Sequence, residues 1–142
     1  MQANQNQSAV HPLLRLLSYP RSVLIGLFIP VWTLVCALLL IVFSFIPGTR
    51  PLLNFIASNV WSRTFLKISG LDIEVRGREN FPDQGGLFLF NHTSNFDIFI
   101  LFGTFPEKAI KFGAKGELFK IPILSMAMRR LGILPIERKN RK

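Results

Sequence analysis

His92 and Asp97 are the two residues whose types and spacing can do chemistry. His92 follows the short apolar run Leu87-Phe88-Leu89-Phe90, which reads as a buried strand. Its side chain is therefore expected at the end of a sheet, facing a crevice. Asp97 comes five residues later, in the first turn of the next expected helix, where its carboxylate can return to the imidazole. A carboxylate on one ring nitrogen fixes the tautomer and leaves the other nitrogen to take a proton from a hydroxyl. The imidazolium that forms is stabilised by the same carboxylate, as in the serine-hydrolase triad, with the substrate's own hydroxyl as nucleophile. No Ser or Cys nucleophile is then required.

The same stretch supports a plainer role. Ser94-Asn95-Phe96-Asp97 ahead of an apolar run is also a capping box, which contributes about 1 kcal/mol without any catalysis. The two roles are compatible, because a capping Asp is held rigidly. Asn91-His92-Thr93 is a glycosylation sequon as well, but a buried strand leading into it argues against modification.

The surrounding pattern supplies the elements that would position this pair. Leu71, Ile73 and Val75 alternate with Asp72, Glu74 and Arg76, which predicts a half-exposed strand. Pro82-Asp83 and Gly85-Gly86 mark a turn before the strand at 87–90. A helix is expected from near Thr93 or Ser94 to the segment Gly103 to Pro106, then a strand over Ala109 to Ala114. Leu124, Ala127, Met128 and Leu131 follow helical spacing between Pro122 and Gly132, and Ile133 to Ile136 reads as a last short strand. Strand and helix in alternation predict an α/β fold.

The first half of the chain is different in kind. Residues 22–49 contain no Asp, Glu, Lys or Arg, which excludes an ordinary soluble globule. Val23 to Ile46 alone would extend about 36 Å as a helix, enough for a hydrocarbon core of roughly 30 Å. The run is too long for a signal peptide and lacks a small-x-small cleavage site, so an uncleaved anchor is expected. It either spans the membrane or forms a shallow hairpin broken near Pro30 or near Pro47-Gly48. Arg15 and Arg21 precede it and Arg50, Arg63 and Lys67 follow it, a small excess that by the positive-inside rule leans towards a cytoplasmic C-terminal part. Arg50-Pro51 can open a second helix ending near Gly70. Leu53, Ala57, Val60, Trp61, Thr64, Phe65 and Ile68 would form its apolar face. It would either lie in the membrane interface or pack on the domain that follows. The head, Met1 to Ser8, reads as a polar disordered tail.

Charge sharpens the choice of partner. The formal net charge is +9, distributed as +5 over residues 1–71, −3 over 72–106 and +7 over 107–142. Such a balance calls for an anionic partner, and the apolar run favours lipid over nucleic acid. Residues 120–142 contain no Phe, Trp or Tyr to stack on bases, so no nucleic acid is expected. The single Cys36 allows no internal disulfide and no Cys-based zinc site, and no metal is expected.

Three blocks of the sequence together resemble the 1-acyl-sn-glycerol-3-phosphate acyltransferase family. Asn91-His92-Thr93-Ser94-Asn95-Phe96-Asp97 matches the family's Asn-His-x-Ser-x-x-Asp at every fixed position. Phe112-Gly113-Ala114-Lys115-Gly116-Glu117-Leu118, followed by Ile121-Pro122, is similar to its Ala-Lys-x-Glu-Leu segment. Gly132 to Arg138 resembles its second motif, with Glu137 where Asp is commoner. The resemblance covers roughly residues 70–142. It implies that His92 is the general base and Asp97 its orienting partner. It implies substrate-binding roles for Asn91 and Ser94, and an acceptor phosphate held by Lys115 and Arg138, the Arg bidentate and the Lys a point charge. The implied reaction transfers an acyl group from acyl-CoA or acyl carrier protein, a donor substrate rather than a bound cofactor, to the hydroxyl of lysophosphatidate. The product would be phosphatidate, made at the cytoplasmic face of a membrane.

The expected organisation is a polar tail over 1–22, membrane-anchoring and interfacial helices over 23–70, and a partial acyltransferase α/β domain over 71–142. The family's third motif, Glu-Gly-Thr-Arg, does not occur in these 142 residues, so a truncated sequence is the expectation. The competing reading is a non-catalytic membrane-anchored protein whose basic C-terminal end binds anionic lipid.

Overall fold

A computed structural model of the chain describes residues 12–82 and 84–137. Its first element, helix α1, runs unbroken over Pro12–Ser44 and passes through Pro20 and Pro30. It starts well before the expected Val23, and it does not break at Pro30. Met1 to Ser8 lie outside the described residues. The chain turns instead at the second expected position, where Gly48 adopts φ 82°. Thr49 Oγ1 lies 2.7 Å from the carbonyl oxygens of both Phe43 and Ile46 and ties the turn down.

Within α1, the 23-residue segment Ser22–Ser44 contains an 18-residue window of mean hydropathy 2.7. At 1.5 Å per residue the segment is about 35 Å, long and apolar enough to cross a membrane. Cys36, Ala37 and Leu40 are buried against the rest of the protein. Leu24, Leu27 and Val31 are each more than 60% exposed.

The expected second helix forms between Arg50 and Ser69, in three parts. α2 covers Arg50–Phe55 with Pro51 in its first turn, a π-helical stretch covers Ile56–Ser62, and α3 covers Arg63–Ser69. Gly70 closes it in the left-handed region. Its buried face departs from the expected one. Leu53, Ala57 and Phe65 are buried as expected, but Ile68 is exposed and Ser58 and Ser62 are buried. The π stretch explains the difference. Bonding i→i+5 places more residues in each turn, so each advances less than the 100° of an α-helix and the face slips.

Residues 71–77 and 85–94 carry no strand or helix. This corrects the two strands expected at Leu71 to Arg76 and at Leu87 to Phe90. A strand requires a neighbour for its backbone groups, and here none is present among the described residues. Leu87 and Leu89 are 88% and 89% exposed rather than buried. What orders the region is side-chain packing. Phe81 stacks between Phe88 at 4.3 Å and Phe105 at 4.4 Å.

The remaining elements follow the expected order, but the strand expected over Ala109 to Ala114 forms only from Gly113, where β2 supplies a backbone partner. α4 spans Phe96–Thr104, β1 Gly113–Lys115, a 3-10 turn Gly116–Lys120, α5 Pro122–Leu131 and β2 Leu134–Ile136. β1 and β2 pair in parallel, with Gly113 opposite Leu134 and Lys115 opposite Ile136. A parallel pair needs a crossover, and α5 provides it. Gly132, at φ 79°, ends α5 in a Schellman motif. Ile133 N–H donates to the Met128 carbonyl and Gly132 N–H to the Arg129 carbonyl, both at 3.0 Å. Ala127, Met128 and Leu131 of α5 are buried and pack with α1, as the helical spacing anticipated. The described chain is therefore mostly helical with a small parallel sheet.

Candidate active site

The N-terminal end of α4 brings His92, Ser94 and Asp97 together. The helix begins at Phe96, two or three residues later than expected, because Ser94 and Asp97 build a compact turn ahead of it. Asp97 N–H donates to the Ser94 carbonyl at 3.1 Å, and Phe96 N–H to Ser94 Oγ at 3.2 Å. The Asp97 carboxylate reaches back in the opposite direction. Its Oδ2 accepts from Thr93 N–H and Ser94 N–H, both at 2.9 Å, and lies 3.0 Å from His92 Nδ1.

One oxygen thus ties the turn ahead of the helix and contacts the imidazole, while the N-cap residue is Asn95, without a side-chain cap bond, rather than the expected Ser94. The Ser94 amide foremost, then the Thr93 amide and His92, hold the Asp97 carboxyl below its ordinary value, against an opposing desolvation. Asp97 therefore stays ionised, and it sits where the helix dipole favours a negative charge. An ionised carboxylate only accepts hydrogen bonds, so in the neutral imidazole Nδ1 carries the hydrogen and Nε2 the lone pair. The His92 side chain is 47% exposed. Among the described residues Nε2 has no hydrogen-bond partner, and the Phe90 ring stands edge-on to the imidazole at 6.2 Å. The contact with Asp97 orients the ring and leaves Nε2 open.

Aromatic packing fixes α4 in space. The Phe65 ring lies 3.9 Å from Phe99 and 5.2 Å from Phe96, and Trp61 lies 4.4 Å from Phe99. Trp61 Nε1 donates to Thr33 Oγ1 of α1 at 3.0 Å, linking the site to the apolar helix. At the other end of α4, Arg63 Nε donates to the Gly103 carbonyl at 2.9 Å. Arg63 therefore caps a helix, and Trp61 packs against α4. Gly103 allows the close approach: a Cβ there would sit 2.6 Å from Leu66 Cδ1. Gly103→Val is accordingly expected to destabilise the fold by about 1–3 kcal/mol through overpacking. A thermal midpoint in detergent equal to wild type would contradict this packing.

The described residues contain no group of three or more His, Cys, Asp or Glu able to hold a metal ion.

A protein-family model described as Acyltransferase matches residues 72–142, half of the chain. The chain belongs to this acyltransferase family. It is 33% identical over 99 residues to a chloroplastic 1-acyl-sn-glycerol-3-phosphate acyltransferase of Arabidopsis thaliana, covering 68% of this chain and 27% of that protein. It is 28% identical over 135 residues to the 1-acyl-sn-glycerol-3-phosphate acyltransferase of Saccharomyces cerevisiae, covering 90% of this chain and 42% of that one. The chain thus spans well under half the length of these curated relatives. No solved structure matches it.

Not every residue expected at an acyltransferase site joins the cluster. Asn91 is exposed beside His92. Lys115 is exposed at the end of β1, opposite Ile136, on a separate element from the His92 turn. Arg138 lies outside the described residues. Sequence reading missed the Thr93 amide as a second backbone donor to Asp97. It also missed the Arg63 cap on Gly103, whose only signal was a basic residue beside the aromatic face.

Proposed function

We propose that this chain carries the base-bearing part of a lysophosphatidate acyltransferase. The observation that supports it most is the Asp97 oxygen, held by two backbone amides and placed 3.0 Å from His92 Nδ1. In this reading His92 Nε2 removes the proton from the free hydroxyl of lysophosphatidate as the oxygen attacks the carbonyl carbon of an acyl thioester. The Nδ1–H bond to Asp97 stabilises the imidazolium that results. The tetrahedral intermediate collapses, the carbon–sulfur bond breaks, and the imidazolium returns the proton to the leaving thiolate. Phosphatidate and free thiol are the products, and His92 is neutral again. Acyl-CoA or acyl carrier protein is the donor substrate, and the reaction requires no bound cofactor.

Asn91 and Ser94 line the acceptor's approach, and Lys115 and Arg138 take its phosphate. Arg supplies a bidentate fork and Lys a point charge. Residues 23–70 anchor the chain after a polar tail over 1–22, and residues 71–142 form part of an acyltransferase α/β domain. Arg50, Arg63 and Lys67, following the apolar helix, favour the cytoplasmic side for that domain.

The test is direct. Membranes carrying the protein, expressed over its full reading frame, are expected to convert lysophosphatidate to phosphatidate with acyl-CoA or acyl carrier protein as donor. Absence of phosphatidate with both donors, in membranes where the protein is present and folded, would overturn the assignment.

A further inference from the structure

Four cations gather where the apolar helix ends, away from His92. A cavity of about 250 Å³ is lined by Arg50 and Asn54 of α2, by Lys111 ahead of β1, and by Arg129 and Arg130 in the last turn of α5. Lys111 Nζ donates to Asn54 Oδ1 at 3.0 Å. Burial, with Arg50 close by, pushes the Lys111 ammonium below its ordinary value. The Arg129 guanidinium lies over the Phe119 ring at 5.3 Å, and that of Arg130 over the Phe45 ring at 5.1 Å. Among the described residues none of the four meets a carboxylate. Glu107, which with Arg50 lines the adjoining cavity, is engaged by Arg78 at 2.9 Å.

Exposed cations gathered around one concavity without a counter-charge repel one another and focus a positive potential on the space between them. An anion placed there relieves the repulsion. Guanidinium forks beside one ammonium suit the oxygens of a phosphate. The location selects its source. Phe45 and Ile46, 67% and 53% exposed, follow directly on Ser22–Ser44, so the Arg130–Phe45 contact lies at headgroup level when that segment fills the hydrocarbon. The cavity wall includes Ala109 and Lys111, beyond the C-terminal end of α4, whereas His92 precedes its N-terminal end. The nine residues of α4 separate those two ends by about 13 Å.

We propose that this cavity binds the phosphate of an anionic membrane lipid, at a site separate from the one that takes the acyl acceptor. The probe is dioctanoylphosphatidylglycerol, anionic but neither substrate nor product of the proposed reaction, titrated into the full chain in neutral detergent. Saturable binding is expected, weakened at least tenfold by Lys111→Gln/Arg129→Gln and, independently, by Arg130→Gln. Lys67→Gln/Lys120→Gln removes two charges elsewhere and is expected to leave affinity within twofold. Equal affinity in wild type and the cavity variants would overturn the site. So would an equal loss in the Lys67/Lys120 control, or equal affinity for dioctanoylphosphatidylcholine. Inorganic phosphate binding as tightly as the lipid would overturn the assignment to a headgroup.

Discussion

Asp97→Asn is expected to lower kcat for acyl transfer by about 10²–10⁴-fold, the range over which general acid–base catalysis contributes. The backbone amides of Thr93 and Ser94 donate to Oδ2 in the native turn. In the variant they would hold the neutral amide oxygen in the same place, opposite Nδ1. The imidazole would keep its hydrogen on Nδ1 but lose the negative charge that stabilises the imidazolium formed as the hydroxyl proton is taken. KM for both substrates should change little, since the loss falls on the transition state. The double variant His92→Ala/Asp97→Asn should be no slower than His92→Ala alone, because residues that act as a unit are not additive. Retention of activity within tenfold in Asp97→Asn would show that the carboxylate only orders the turn ahead of α4. Stability offers a second readout with a fixed sign. Asp97 is held below its ordinary value of 3.8, so its contribution is present above that pH and lost as pH falls through the lowered folded value. The thermal midpoint gap between wild type and Asp97→Asn should be widest near neutrality and close on acidification.

Val31→Arg is expected to release the chain from membranes. Val31 lies in the middle part of Ser22–Ser44 and is 62% exposed, so the substitution leaves the packing of Cys36, Ala37 and Leu40 intact. Arg at a membrane-helix centre is less favourable than Val by about 3 kcal/mol, roughly a hundredfold in partitioning. After alkaline carbonate treatment the wild-type chain should stay in the membrane pellet and the variant should appear in the supernatant. A variant that stays in the pellet as fully as wild type would mean that this face does not lie in hydrocarbon.

The parts of the fold legible in the sequence are those decided locally. Helical spacing and a terminal Gly marked α5, Arg50-Pro51 and Gly70 bounded the second helical region, and the His92–Asp97 spacing foretold their contact. What depended on partners was harder to see. Leu87 to Phe90 has strand composition, but composition supplies no neighbouring backbone, and Leu87 and Leu89 are left facing outward. The π stretch has no sequence signature, so a uniform 100° reading placed Ser58 and Ser62 on the wrong side. The cationic cavity joins residues 50, 54, 111, 129 and 130, which only the tertiary fold brings together.

That π stretch couples parts of the molecule that otherwise look independent. Leu53 and Ala57 are set towards the core around α1, while Phe65 faces the rings of α4. The two directions are compatible only at the rotational phase that Ile56–Ser62 imposes. Losing one residue there would shorten the chain by very little. It would, however, turn α3 by about 100° relative to α2, as one residue does in any α-helix. Phe65 would swing away from Phe99, and the floor under the His92–Asp97 turn would go with it. Chain length in this segment is therefore an angular setting, a gear between the anchor and the reacting groups.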